Sequence, residues 1–576
     1  MSSARFKSSS ISNIFTSMII RIYFIIVLLI GSIQQIQSQE QTVGIFLNDR
    51  LAINGYTLFS PTSSQTTHLI DNCGREINRW QFNTTPGMMA YLREDGSLVR
   101  AGRIFEGFGA GGSGGLIEIK SWDDELLWSY RYSDNRFKQH HDFECLENGN
   151  ILLIAWEKHT VPELIEAGRI PESIGNNGVW LEQIVELKPI GLDSAEIIWE
   201  WHLYDHLVQD RFPERNNFGS VSENPQRLDI NYEAFLDVNS GLPGNADWVH
   251  YNSIDYNPDL DLIVVSSRNM SEIYVIDHST TTEEAAGTTG GNFGRGGDFL
   301  FRWGNPVVYD TSLVDERVLY AQHDARWLSK DGSYTVELSI FNNGLGRDSA
   351  NTSSIEIISP GIEDGQFVFD ETIQQFKLDE HLTIFPTEDY PFSSPRISGA
   401  QVFENGNILI CSGNNGAVYE ITNEGQLVWQ YINPVSQLGS TPQGIDPILN
   451  DIFRALRYTP DFQAFESREL TPGDYLERDP LEDYGCTIYG ETSTANLTYH
   501  DLGHRIYPNP FHHFLRVELS GDAMHRLSVF DLNGNRVYTR EVLRKADIDL
   551  SGLEAGIYIV RLKSEQSAVS FKVLKI

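Results

Sequence analysis

The chain has 576 residues, with 43 Lys and Arg against 79 Asp and Glu and a formal net charge of −36. So acidic a surface argues against nucleic acid and anionic membrane as partners, although a local cationic pocket can still take an anionic small molecule. Apolar residues make up 40% and aromatics 11%, with 11 Trp, enough to fill large cores in roughly two to four domains.

Residues 1–38 have the pattern of an export signal. Arg5, Lys7 and Arg21 precede the apolar run Tyr23–Ile30, and Ile36-Gln37-Ser38 offers a small residue for cleavage. The run is short for a membrane span. No later segment is long and apolar enough to cross a bilayer, so no stable span is expected after processing. An exported chain meets an oxidising compartment, which permits disulfides. Cys73, Cys145, Cys411 and Cys486 are widely spaced without a C-x-x-C, a poor pattern for zinc. Cys145 and Cys411 sit in apolar strand-like runs and read as buried thiols. A Cys73–Cys486 bridge is compatible with the pattern, but nothing in the spacing selects it.

Between residues 45 and 460 the chain repeats itself loosely. One half-unit closes on an apolar-apolar-Trp strand, at Trp80, Trp128, Trp199, Trp303 and Trp429, with Phe376 in the corresponding place of "ETIQQFKL". The other half-unit is a strand, a tight turn and an apolar strand, as in "LREDGSLVRAG", "LENGNILLIAW", "LSKDGSYTVEL" and "FENGNILICSG". Asp-Gly and Asn-Gly between alternating apolar residues are strong hairpin signals. Short strands in a unit repeated about six times predict an all-β, six-bladed β-propeller over 43–485. An array of sandwiches is the competing architecture, but the repeat is too short for independent sandwich domains.

Aligning the units on their Gly turns brings histidines into register. His141 lies eight residues before Gly149 and His323 nine before Gly332. His250 leads the matching strand in "DWVHYNSIDYNPDLDLIVVSSRN", and Met88 and Ser398 hold the place in two other units. Equivalent positions on neighbouring blades ring the central channel. Three histidines there read as a constellation rather than as isolated structural residues. Asp142 follows His141 and Asp324 follows His323; a carboxylate close to an imidazole can fix its tautomer and raise its basicity. Neutral imidazole accepts phosphoryl or sulfuryl groups covalently. Arg268, His250 and Asn252 are donors suited to a multi-oxygen anion. The nearby Arg and the lack of a carboxylate in the ring argue against a metal, and no cofactor is expected.

These motifs resemble the bacterial arylsulfate sulfotransferases: His250-x-Asn252, then Arg268 in "VVSSR", His323 in "QHDA", and "FRALRYTPDF" from Phe453 to Phe462. The resemblance implies an exported propeller that carries a sulfuryl group from a phenolic sulfate ester to another phenol, without a nucleotide sulfate donor, through a sulfohistidine. By that pattern His323 is the nucleophile, and His250, Asn252 and Arg268 hold the sulfuryl oxygens. His141 is the other pocket histidine, in preference to His140. Trp327 and Tyr251 are candidates for stacking on phenol rings, with interblade packing as their alternative role. The segments Thr281–Gly297 and Ser220–Gly244 are expected on loops able to cover the channel mouth.

A polar linker, 486–504, leads to a tail of alternating apolar residues with an Asn-Gly turn, which predicts a small β-sandwich over 505–576. Its "YPNP", "DLNG" and "LEAGIY" resemble the type A C-terminal sorting domain of the type IX secretion system of Bacteroidetes. That implies export through the periplasm to the cell surface or medium, with the secretion machinery as a partner. His512 and His513, in this tail, are expected at the surface. Two other functions fit the same sequence: a secreted propeller that only binds a ligand or partner, and an aryl sulfate hydrolase in which water replaces the acceptor.

Overall fold

The computed structural model describes residues 40–233, 246–330, 332–348, 350–482, 484–489 and, with short gaps, 505–575. The expected signal segment, most of the linker, His512 and the end of the Ser220–Gly244 segment lie outside the described residues. The chain divides into two compact units, 1–488 and 489–576. No helix among the described residues is long and apolar enough to cross a membrane.

Among its described residues the first unit contains six antiparallel sheets of four or five strands, following one another along the chain. Turns such as Asn148-Gly149 and Asn405-Gly406, with Gly149 at φ 87° and Gly406 at φ 84°, make the expected hairpins. The innermost strands are β1 (Pro86–Leu92), β2 (Phe137–Cys145), β3 (Tyr251–Asn257), β4 (His323–Lys330), β5 (Gly399–Val402) and β6 (Ile452–Tyr458). Each touches the next, and β6 touches β1. The sheets therefore stand radially around a channel, the arrangement of a β-propeller. Two strands close the ring from opposite ends of the sequence. β6 pairs with Tyr56–Pro61 to complete the first sheet, and Gly44–Asn48 pairs with Leu427–Ile432 on the rim of the last.

The outer-strand tryptophans lock neighbouring sheets together. Trp80 donates its indole N–H to Ser121 O, Trp128 to Ser194 O, Trp199 to Thr280 Oγ1 and Trp429 to Asn72 O, each on the following sheet. Trp303 instead packs edge-on against His381, with ring centroids 5.2 Å apart. Phe376 departs from the expected pattern. It lies in a two-residue strand beside Phe369, and the fourth strand of that sheet is Leu378–Ile384. Phe376 still joins the core shared by Trp303 and Trp327.

Thr281–Gly297 does not sit where it could cover the histidine end of the channel. It joins the third and fourth strands of its sheet, Glu272–Asp277 and Phe301–Trp303. In an up-and-down sheet that connection falls at the end opposite the start of β3. It is also held in place: Trp201 donates to Gly297 O, and Thr281 caps the short helix Thr282–Ala285. Cys73 and Cys486 form a disulfide. Cys411 is a buried thiol as expected, whereas Cys145 is only half-buried.

Among its described residues the second unit has two antiparallel sheets. One contains Arg505–Tyr507, Phe514–Glu518 and Lys545–Asp549; the other contains His525–Phe530, Arg536–Val542, Gly556–Lys563 and Ala568–Lys575. Leu515, Val517, Leu527, Val529, Val560 and Leu562 share one core. His513, in this unit, is exposed.

Candidate active site

Where the inner strands pass the channel the backbone turns left-handed. Met88, His141, His250, Asp324 and Ser398 have φ of 100°, 48°, 58°, 56° and 89°. Non-glycine residues rarely adopt this conformation, and it recurs within two residues of the same place at each of these strands. Hydrogen bonds between sheets refine the expected register. Ile254 N donates to Asp142, Ala325 N to Ser253 Oγ, and Ala400 N to Asp324. Asp142, Ser253 and Asp324 are therefore equivalent. So are His141, Asn252 and His323, while His250 stands two residues earlier. Arg268 follows the second strand of its sheet, Leu262–Ser267, and its N–H donates to His250 O at 3.1 Å, so it lies at the histidine end.

The histidines are brought together. The rings of His141 and His250 meet edge to face at 4.6 Å, and Phe453 of β6 lies 6.0 Å from His141 and 6.2 Å from His323. His323 is 2% exposed, and His141 and His250 are 4% exposed. Burial, then the cation of Arg268, holds the His323 imidazole well below the ordinary histidine range. Burial and its histidine neighbours do the same for His141. Both rings are neutral. Arg268 is itself buried, which lowers its pKa to about 10, so it stays charged at neutral pH. Its guanidinium donates to Asn269 Oδ1 at 3.3 Å and makes no ion pair among the described residues. Asn252 donates from its amide to Gln322 O at 2.7 Å.

Ring partners differ from those expected. Asp142 and Asp324 face away from the histidines. Arg454 of β6 bridges them, at 2.7 Å to Asp142 and 3.0 Å to Asp324, and Arg326 reaches Asp324 at 2.7 Å. His323 Nδ1 is instead 2.7 Å from Asn343 Oδ1. The Asn343 amide nitrogen donates to Ser394 O and Ile397 O at 2.7 and 2.8 Å. Its oxygen must therefore accept, so the proton of His323 sits on Nδ1 and Nε2 is bare. Asp247 Oδ2 holds His250 Nδ1 at 2.6 Å. His141 Nδ1 is 2.8 Å from His140 Nδ1, and His140 Nε2 is 2.8 Å from Glu182 Oε2. Of the adjacent pair, His141 faces His250, while His140 turns away and stacks on Trp156 at 4.1 Å.

The family model described as Arylsulfotransferase (ASST) matches residues 125–437, more than half of the chain. The chain belongs to the arylsulfotransferase family. Residues 505–576 match a secretion system C-terminal sorting domain, so this arylsulfotransferase-family protein is exported by a Bacteroidetes-type system. A comparison with curated proteins finds no match. Among solved structures, the chain is similar to a protein of unknown function from Bacteroides caccae, at 10% identity and TM-score 0.38 over 70% of this chain and 99% of that one. It is also similar to the periplasmic gluconolactonase PpgL of Pseudomonas aeruginosa, at 10% identity and TM-score 0.33 over 86% and 99%.

Five further residues of this arylsulfotransferase family member escaped the sequence reading: Asp247, Asn343, Glu182, His140 in its role as partner, and Phe453. Two carried a usable signal. Asp247 stands three residues before His250, and Asn343 follows the strand Ser333–Asn342 as Arg268 follows Leu262–Ser267. The run "GFGAGGSGG", Gly107–Gly115, was also overlooked; its Gly112 O accepts from His141 N at 2.8 Å. Trp327 and Tyr251 are buried in hydrophobic cores between strands and sheets rather than facing the histidines. The aromatic side chain beside His141 and His323 is Phe453.

Proposed function

We propose that this protein is an exported aryl sulfotransferase that moves a sulfuryl group from a phenolic sulfate ester to a phenol by two half-reactions through His323. The observation that carries the proposal is the bare Nε2 of a buried, neutral His323 in the field of Arg268, a buried cation that makes no ion pair among the described residues. A neutral imidazole with its lone pair exposed is a nucleophile. A guanidinium attracts an anionic sulfate ester and stabilises charge on its oxygens during transfer. His250 lies beside Arg268, His141 completes the pocket, and the family pattern makes Asn252 a further donor.

In the first half-reaction His323 Nε2 attacks sulfur, the S–O bond to the aryl group breaks and the phenolate leaves. In the second, the acceptor oxygen attacks the same sulfur and restores His323. Phe453 offers an aromatic face to either ring. The deep burial of the three imidazoles favours transfer over hydrolysis, because a water-poor pocket protects the sulfated intermediate.

The test is incubation of the purified protein with 4-nitrophenyl sulfate, with and without phenol, followed by a peptide search for sulfated histidine. Phenol-dependent release of nitrophenolate is expected, with the added mass on the His323 peptide. His323→Ala is expected to remove both while leaving the fold intact. Release without phenol would indicate hydrolysis. No release and no adduct from several aryl sulfates would leave a ligand-binding propeller as the reading.

A further inference from the structure

The least expected feature beside the pocket is an unbroken chain of buried acid–base groups running outward from His141. Glu182 lies on Val179–Ile190, the third strand of the sheet whose inner strand is β2. Glu182 and His140 are both 0% exposed. Glu182 Oε2 meets His140 Nε2 at 2.8 Å, and His140 Nδ1 meets His141 Nδ1 at 2.8 Å. The other carboxyl oxygen accepts from Tyr251 N at 2.8 Å, and Trp156 stacks on His140 at 4.1 Å with ring planes 12° apart. The chain is thus fixed at both ends and in the middle.

Only two neutral-imidazole arrangements satisfy all these contacts. With Glu182 ionised, His140 donates from Nε2 to the carboxylate and accepts at Nδ1. His141 then carries its proton on Nδ1 and has a bare Nε2. With Glu182 protonated, every proton shifts by one place. The carboxyl donates to His140 Nε2, His140 Nδ1–H donates to His141, and His141 Nε2 bears a proton. Neither arrangement requires a buried imidazolium. Burial drives the His140 pKa down to about 3 and that of His141 well below its usual range. Burial, with Asp247 nearby, pushes Glu182 well above the usual carboxyl range, against the opposing influence of His250. A proton entering this chain therefore rests on Glu182.

We infer that Glu182 and His140 form a proton wire that switches His141 between acid and base, with the Glu182 carboxyl storing the single proton that the two half-reactions exchange. The inference rests on the sulfotransferase reading above. In the first half-reaction the N–S bond to His323 forms and the aryl S–O bond breaks. The leaving phenolate oxygen takes the proton from His141 Nε2. His141 Nδ1 takes the proton of His140 Nδ1, His140 Nε2 takes that of Glu182, and a carboxylate remains. In the second half-reaction the acceptor phenol gives its proton to His141 Nε2, the wire runs backwards, and Glu182 is protonated again as oxygen attacks sulfur. Glu182 and His140 act only through His141 and are positioning residues.

The test uses Glu182→Gln in the full chain. With its amide oxygen held by Tyr251 N, the substituted side chain can only donate to His140, which freezes His141 as a donor. A 4-nitrophenolate leaving group departs as the anion and needs no proton. The pre-steady-state burst from 4-nitrophenyl sulfate is therefore expected to stay within about threefold, while turnover of phenyl sulfate with a phenolic acceptor, which uses the wire in both half-reactions, falls by about a hundredfold or more. Equal loss in both measurements, or loss in neither, would overturn the inference. A missing burst in the unsubstituted protein would instead overturn the sulfotransferase reading. Infrared difference spectra of the unsubstituted protein give a readout that does not depend on the variant's folding. A protonated-carboxyl band should disappear on reaction with phenyl sulfate and persist with 4-nitrophenyl sulfate. Reaction with phenyl sulfate without any change in that band would also overturn the wire.

Discussion

Gly112 shows how closely the pocket is fitted. Its φ is +82°, and a Cβ there would lie 1.9 Å from His141 Cε1. The chain passes so near the ring that only hydrogen fits between them. Gly112→Ala is expected to displace His141 and lower phenol-dependent turnover by about a hundredfold, the effect of an ångström-scale misplacement. Strain at positive φ adds about 1–2 kcal/mol of destabilisation. Turnover and thermal melting of the variant check this; activity within twofold of the unsubstituted protein would contradict it. The same scale explains what sequence could and could not reveal of the site. His141 and His323 were legible because the repeat puts them at corresponding places. His250, two residues out of that register, was legible with Asn252 and Arg268 through the motif they share with the family. The partners that set their protons were not. Asp142 and Asp324 are adjacent to histidines in sequence, but successive side chains on a strand point to opposite faces. Their carboxylates consequently meet Arg454 on β6, and the histidines find partners from other segments.

At the scale of strands and turns, His278 is a clasp between two sheets. It follows Glu272–Asp277, and its ring lies 2.7 Å from Asp261 and 3.1 Å from Glu186 of the preceding sheet. Burial opposes its charge, but hydrogen bonds to Asp261 and Glu186 outweigh it and push its pKa up to about 9. The folded value lies above the unfolded value of about 6.5. The clasp therefore contributes fully below about pH 6.5 and is lost as pH rises through about 9. The stability gap between the unsubstituted protein and His278→Asn, measured by urea unfolding, should shrink between about pH 6.5 and about pH 9.5. A constant gap would show that the ring packs without its charge. Hairpins were legible at this scale because Asn-Gly turns and alternating apolar residues have direct backbone meaning. Phe376 was misplaced because an apolar-apolar-aromatic triplet marks a packed residue without saying which strand carries it.

For the whole molecule, the Cys73–Cys486 bridge joins residues 413 positions apart, tying the segment beyond the ring to the first sheet. By restricting the unfolded chain it should stabilise the first unit by about 3 kcal/mol. Cys486→Ser should lower the urea midpoint, and reductant should do the same to the unsubstituted protein but not to the variant. An unchanged midpoint would mean that the strand pairings alone hold the closure.

The closing strand β6 has a consequence for when activity can begin. It supplies Phe453 beside His141 and His323, and Arg454 between Asp142 and Asp324. It also completes a sheet whose other three strands lie between Tyr56 and Gln81. The middle of the chain holds the histidines, yet a truncated product ending before Ile452 lacks the Phe453 wall beside them and the Arg454 charge that bridges Asp142 and Asp324. The pocket proposed for sulfuryl transfer is therefore assembled only once both ends of the ring have met, and an unfinished chain carries an open-sided one.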